Sequence, residues 1–174
     1  MSERRVVITG FMGAGKTTVA NALARLLKDS FIDIDESVTK IEGRTPQQLI
    51  DEEGEEFFRE AETRALRLAL EEGPARVIAT GGGAWTMRRN RALVAAGRCL
   101  SVWLDAPFEL CWRRITASGG GTDRPLARNP ERARRLYEER LAAYRLADLH
   151  VSVTPHKSAD ELADEIAVAL GTSG

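Results

Sequence analysis

Two hydrophobic periods alternate along the chain. Short apolar, mostly β-branched runs recur at Val6-Val7-Ile8-Thr9, Phe31-Ile32-Asp33-Ile34-Asp35, Val77-Ile78-Ala79-Thr80, Cys99 to Leu104 and His150 to Val153. Runs of this length predict strands buried on both faces. The segments between them repeat at the helical period. Residues 16–28 carry apolar side chains at 19, 20, 23, 24, 26 and 27, one stripe of a helix. Residues 55–72, 86–96, 107–115, 129–147 and 158–170 are predicted helical, with Gly97 closing the second of these. Thr45-Pro46-Gln47-Gln48 and Ser158-Ala159-Asp160-Glu161 carry capping boxes, Asn129-Pro130 a cap followed by an N1 proline, and Gly73-Pro74 a break.

Five strands alternating with helices predict an α/β fold: a five-stranded parallel sheet in a three-layer αβα sandwich, joined by right-handed crossovers. With 174 residues and no internal repeat, the chain is expected to form one domain, residues 1–174. In such sheets ligands bind beyond the carboxyl ends of the strands. Three of the predicted strands end in chemically loaded residues there.

The first strand runs into Gly10-Phe11-Met12-Gly13-Ala14-Gly15-Lys16-Thr17, a match to G-x-x-x-x-G-K-[ST] between strand and helix. Glycines let backbone N–H groups turn inward onto phosphate oxygens, and the helix presents its positive end to them. Lys16 suits the β/γ charge. At ~4 Å and an effective dielectric of ~20 such a pair attracts by about 4 kcal/mol before desolvation. The Thr17 hydroxyl suits Mg²⁺. Gly13, Ala14, Gly15, Lys16, Thr17 and Thr18 are therefore the nucleotide-binding candidates. A GTPase would carry N-K-x-D near a later strand end, and this chain has none.

Asp33 and Asp35, two apart on a predicted strand, are expected to point the same way, with Ile32 and Ile34 opposite. Two carboxylates near a phosphate loop suit a metal and a hydroxyl; a solvated strand-end turn is the plainer alternative. Arg59 follows Phe57-Phe58 on the 55–72 helix, placed either to fork onto a carboxylate or to serve as a surface i,i+4 partner. Gly81-Gly82-Gly83 either lets a ligand approach bare backbone or makes a tight turn. Ser118 to Arg128 combines glycines with Arg124 and Arg128, as a mobile lid does.

Five segments taken together resemble bacterial shikimate kinases: GFMGAGKTTVA (10–20), FIDIDE (31–36), GEEFFREAE (54–62), TGGGA (80–84) and RPL (124–126). The resemblance runs from about residue 5 to 153. It implies a P-loop NTPase fold of the nucleoside-monophosphate-kinase type. It also implies transfer of the ATP γ-phosphate to the 3-hydroxyl of shikimate, in aromatic amino-acid synthesis. By the same resemblance, Asp33 helps hold Mg²⁺ through water, and Asp35 binds the acceptor hydroxyls and takes the proton. Arg59 and Arg140 bind the acceptor carboxylate, Gly81, Gly82 and Gly83 contact the ring region, and Arg124 in a lid of about 117–128 reaches the phosphates. Arg114 stacks on adenine, and residues of about 36–72 form the acceptor-binding segment. Ala127, Trp85 and the loop Thr154-Pro155-His156-Lys157 depart from the family pattern. A gluconate-type kinase of the same fold and a non-catalytic nucleotide-binding regulator are the alternatives.

Net charge is −1, from 25 basic and 26 acidic residues, which argues against a nucleic-acid binder working by bulk charge. The basic set is 21 Arg and 4 Lys, and residues 113–145 hold nine Arg against four acids, a local basic arc expected to face a triphosphate and a carboxylate. Cys99 and Cys111 read as small core residues, and His150 and His156 as bystanders. Residues 1–5 lead straight into a strand-like run, so no signal peptide is expected, and the sequence holds no long apolar run. The expected partners are ATP and shikimate, without nucleic acid or membrane, for a cytoplasmic monomer.

Overall fold

The structure is a computed structural model that describes residues 3–117 and 128–171. Five strands, β1 (Val6–Thr9), β2 (Phe31–Asp33), β3 (Val77–Ala79), β4 (Leu100–Asp105) and β5 (Leu149–Ser152), form one parallel sheet in the order β2-β3-β1-β4-β5. Every residue of β1 and β3 is buried, so helices must cover both faces. The helices are α1 (Lys16–Leu27), α2 (Ile34–Glu42), α3 (Pro46–Glu53), α4 (Glu55–Glu71), α5 (Arg88–Ala96), α6 (Phe108–Ala117), α7 (Pro130–Tyr144) and α8 (Ala159–Ala169).

Local sequence explains most boundaries. Thr45 and Ser158 close full capping boxes, and the Asn129 side chain accepts from Arg132 N. Two departures from expectation have a clear local cause. The second strand stops at Asp33, because its carboxylate accepts the backbone N–H groups of Asp35 (2.9 Å) and Glu36 (3.3 Å) and starts α2. Gly97 follows α5 with a right-handed φ of −74°, and it is Arg98 that takes the left-handed φ of 53°.

The sheet order places the site. β1 sits at the switch point, with connections leaving to β3 and β2 on one side and β4 on the other. Ile8 pairs with Ala79, which pairs with Asp33. Two residues further on, Gly10, Gly81 and Asp35 therefore emerge side by side.

Candidate active site

Gly13 and Gly15 take φ of 80° and 93°, which bends the loop over the start of α1. A β-carbon at Gly13 would lie 2.7 Å from the Cys111 carbonyl, so the glycine also permits close packing on α6. Gly15 is the N-cap of α1 and supplies no side-chain acceptor to the first turn. Those amides are then available to an anion. Lys16 folds back over the loop and donates from Nζ to Gly10 O (2.7 Å) and Phe11 O (3.1 Å). Burial pulls its ammonium down to about 8, with Asp35 the strongest influence in the other direction.

The Thr17 hydroxyl donates to Asp33 Oδ2 at 2.8 Å. Asp33 thus spends one oxygen on the cap of α2 and turns the other to the mouth of the loop. The two aspartates do not project alike from one strand, as their spacing suggested. Asp33 caps, and Asp35 stands in the first turn of α2 facing Gly81. A hydroxyl and a carboxylate are hard oxygen donors. Among the described residues no group of three or more His, Cys, Asp or Glu could hold a metal. A cation here would need phosphate and water oxygens to complete its shell, which is the mode Mg²⁺ favours, so the residues fit that ion.

Two arginines from different helices converge on the glycine triplet. A β-carbon at Gly83 would fall on the Arg59 guanidinium, and one at Gly82 would stand 3.1 Å from Arg140 Nη1. One at Gly81 would stand 3.0 Å from Asp35 Oδ1 and 3.1 Å from Glu62 Oε2. The bare backbone thus makes room for this chain's own guanidiniums and carboxylates, a tighter reason for three glycines than ligand access alone. Arg59 on α4 lies against the Phe58 ring, 5.2 Å from its centroid, while Phe57 stacks with Arg64. Its side chain is 16% exposed and pairs with Glu62 at 2.6 Å and, more weakly, with exposed Glu55 at 3.6 Å. The i,i+4 partner is thus present as a weak pair, and the stronger pair is to buried Glu62 of the same helix. Arg140 on α7 lies 6.0 Å from the Phe11 ring centroid.

Glu62 carried no role in the sequence reading. Its side chain is 2% exposed, and burial pushes its carboxyl up to about 7 against the pull of Arg59. The available signal was its position three residues after Arg59 on one helix face. Tyr144 was also missed: it is fully buried and donates its hydroxyl to Gly82 O at 2.9 Å. Arg114 donates to Gly13 O and Ala14 O, each at 3.3 Å, which places it against the phosphate loop. Arg124, Ala127 and the lid lie outside the described residues. The basic arc is less concentrated than its count suggested. Arg114 and Arg140 turn to the loop and triplet, while Arg113, Arg134 and Arg135 line a separate groove with Trp112. A cleft of about 1060 Å³ opens elsewhere, at the amino ends of β1 and β4, where Arg5 is tied to the carbonyls of Ala69, Leu70 and Gly73.

A family model described as shikimate kinase matches residues 12–170. The chain belongs to the shikimate kinase family. The shikimate kinase of Cereibacter sphaeroides is 38% identical over 173 residues, covering 98% of this chain and 84% of the relative. Among solved structures, shikimate kinase from Acinetobacter baumannii in complex with shikimate matches with a TM-score of 0.87 and 35% identity, over 99% of this chain and 96% of that one. Shikimate kinase from Aquifex aeolicus matches with a TM-score of 0.82 and 34% identity, over 96% of each chain. The likeness to shikimate kinases thus reaches past residue 153 into α8. Among the described residues no helix is long and apolar enough to cross a membrane.

Proposed function

We propose that this protein transfers the γ-phosphate of ATP to the 3-hydroxyl of shikimate, giving shikimate 3-phosphate and ADP for aromatic amino-acid synthesis. One observation carries the reading: guanidiniums from two helices meet at the glycine triplet, with Asp35 beside it and the phosphate loop next along the sheet edge. A carboxylate-bearing alcohol bound by Arg59 and Arg140 would present its hydroxyl between Asp35 and the nucleotide.

In this reading the amides of Gly13, Ala14 and Gly15, with Lys16, Thr17 and Thr18, hold the nucleotide phosphates. Thr17 and Asp33 would hold Mg²⁺, which when bound neutralises phosphate charge. The acceptor oxygen attacks the γ-phosphorus, the bond to the bridging oxygen breaks, ADP leaves, and Asp35 takes the hydroxyl proton. A free aspartate, with a pKa of ~3.9, is a feeble base for an alcohol. It suffices because the phosphoryl transition state is loose and the proton can leave late. Lys16 Nζ exchanges its carbonyl partners for phosphate oxygens and stabilises the moving charge. Arg124 would add to that stabilisation. Residues 36–72 form the acceptor side of a single-domain, monomeric, cytoplasmic enzyme whose partners are two small molecules.

The test is acceptor-dependent ADP release with shikimate, gluconate and nucleoside monophosphates. Turnover with shikimate is expected. Turnover with gluconate alone, or nucleotide binding with no turnover on any acceptor, would overturn the proposal.

A further inference from the structure

The turn that follows the glycine triplet has its carbonyls taken one after another. Gly83 O accepts from the Thr86 hydroxyl (2.6 Å), Ala84 O from Asn90 Nδ2 (2.9 Å) and Trp85 O from Arg91 Nη1 (2.7 Å). This holds residues 83–85 rigidly against the start of α5. Two side chains of the same unit then reach the two helices that carry the site arginines.

Toward α4 the link is Asn90, which is 1% exposed. Its amide nitrogen is committed to Ala84 O, so its oxygen faces the Thr63 hydroxyl, 2.8 Å away. That oxygen only accepts, so in this link the Thr63 hydroxyl is the donor. Thr63 Oγ1 in turn accepts from Arg89 Nε at 3.0 Å. The one Thr63 hydrogen is thus shared between two acceptors, Asn90 Oδ1 and a backbone carbonyl of its own helix. Thr63 stands one turn after Arg59, whose carbonyl lies 3.0 Å from the same hydroxyl. Toward α7 the link is Trp85, 4% exposed, whose Nε1 donates to Ala143 O at 2.9 Å, three residues beyond Arg140.

We infer that the Thr63–Asn90 and Trp85–Ala143 links make the turn after the triplet a spacer that sets the separation of the Arg59 and Arg140 guanidiniums. Asn90, Thr63 and Trp85 are then positioning residues for the acceptor carboxylate. The physical reason is geometric. Two forked cations grip one carboxylate only when their separation and angle hold to about 0.5 Å and 10–20°. The triplet itself has no side chains with which to brace them. The buried Asn90 amide cannot turn without leaving both Ala84 O and Thr63 poorly paired, so the spacer has one low-energy setting. Trp85, a departure from the family pattern, thus braces α7 and keeps its indole out of the acceptor space. The inference rests on the proposed reading of Arg59 and Arg140 as acceptor-carboxylate ligands.

The test uses the full chain with three variants. Thr63→Val keeps the shape and removes the hydroxyl, Thr63→Ser keeps the hydroxyl, and Trp85→Phe keeps a ring and removes the N–H. KM for shikimate and for ATP is measured for each, with circular dichroism to establish folding. Thr63→Val and Trp85→Phe are each expected to raise the shikimate KM about 5- to 20-fold, while the ATP KM stays within about twofold. Thr63→Ser is expected to restore the wild-type value. The preference for shikimate over its methyl ester, which lacks the negative charge, is expected to shrink in the two impaired variants. Folded variants with an unchanged shikimate KM, or with both KM values raised together, would overturn the positioning role. The two impaired sites lie on different elements, so if Thr63→Val does not fold, Trp85→Phe decides. A wild-type protein that does not phosphorylate shikimate would instead overturn the acceptor reading beneath it.

Discussion

Glu62→Gln isolates the most exposed weakness of the site, a carboxylate held in nearly complete burial. Among the described residues the cation paired with Glu62 is Arg59 at 2.6 Å, with Arg140 acting from further off, and Glu62 shares the Gly81 neighbourhood with Asp35. Burial outweighs the cation and lifts the carboxyl from 4.5 to about 7. A carboxyl raised in the folded state gives stability that is fully present below 4.5 and is lost as pH rises through about 7. By pH 8 the loss amounts to about 3 kcal/mol, of which about 2 to 3 kcal/mol falls between pH 5 and pH 8. Glutamine has nearly the same shape and never ionises. The stability of Glu62→Gln minus that of wild type should therefore rise by that amount over the same interval, whatever constant cost comes from the lost ion pair. Urea denaturation followed by tryptophan fluorescence at half-unit pH steps measures it. Parallel pH profiles for the two proteins would refute the burial argument, and a difference running the other way would mean that the Arg59 pair dominates.

Three further outcomes follow from the same geometry. Burial pulls the Lys16 ammonium down to about 8, and bound phosphates would restore its charge. ATP binding should therefore take up protons at about pH 8.5 and take up few by about pH 7; binding heats that do not depend on buffer ionisation at the higher pH would contradict this. Gly83 has an ordinary φ of −85°, so Gly83→Ala strains no backbone, yet its β-carbon lands on Arg59. The variant should fold, keep its ATP affinity and lose about 10- to 100-fold in kcat/KM for shikimate, a split that steady-state kinetics checks. Thr9 Oγ1 is buried at the end of β1 and has no hydrogen-bond partner among the described residues. Thr9→Val should raise stability by about 1 kcal/mol in thermal melts, and a loss would show that the hydroxyl is engaged.

What the sequence disclosed divides along physical lines. Capping boxes at Thr45 and Ser158 and the Asn129-Pro130 start were legible because a cap is made by residues three apart. The phosphate loop was legible because its spacing encodes backbone geometry. Asp33 misled because β periodicity was carried past a residue that is also a strong N-cap; Asp followed by Asp35-Glu36 marked a helix start. The contacts of Arg59 with Gly83 and of Arg140 with Gly82 join residues about 24 and 58 apart and carry no local pattern. Glu62 stands among several glutamates on α4, and only packing singles it out by burying it. Composition alone also overstated the basic arc, since charge counts do not record which face of α7 an arginine occupies.

In the proposed reaction, phosphate moves from ATP to one hydroxyl of shikimate. Phosphorus and proton NMR of a reaction containing the protein, ATP, Mg²⁺ and shikimate tests it most directly. One shikimate 3-phosphate is expected for each ADP, with the phosphorus coupled to the proton on carbon 3. ADP formed beside unmodified shikimate and free phosphate, or a phosphate on another hydroxyl, would contradict it.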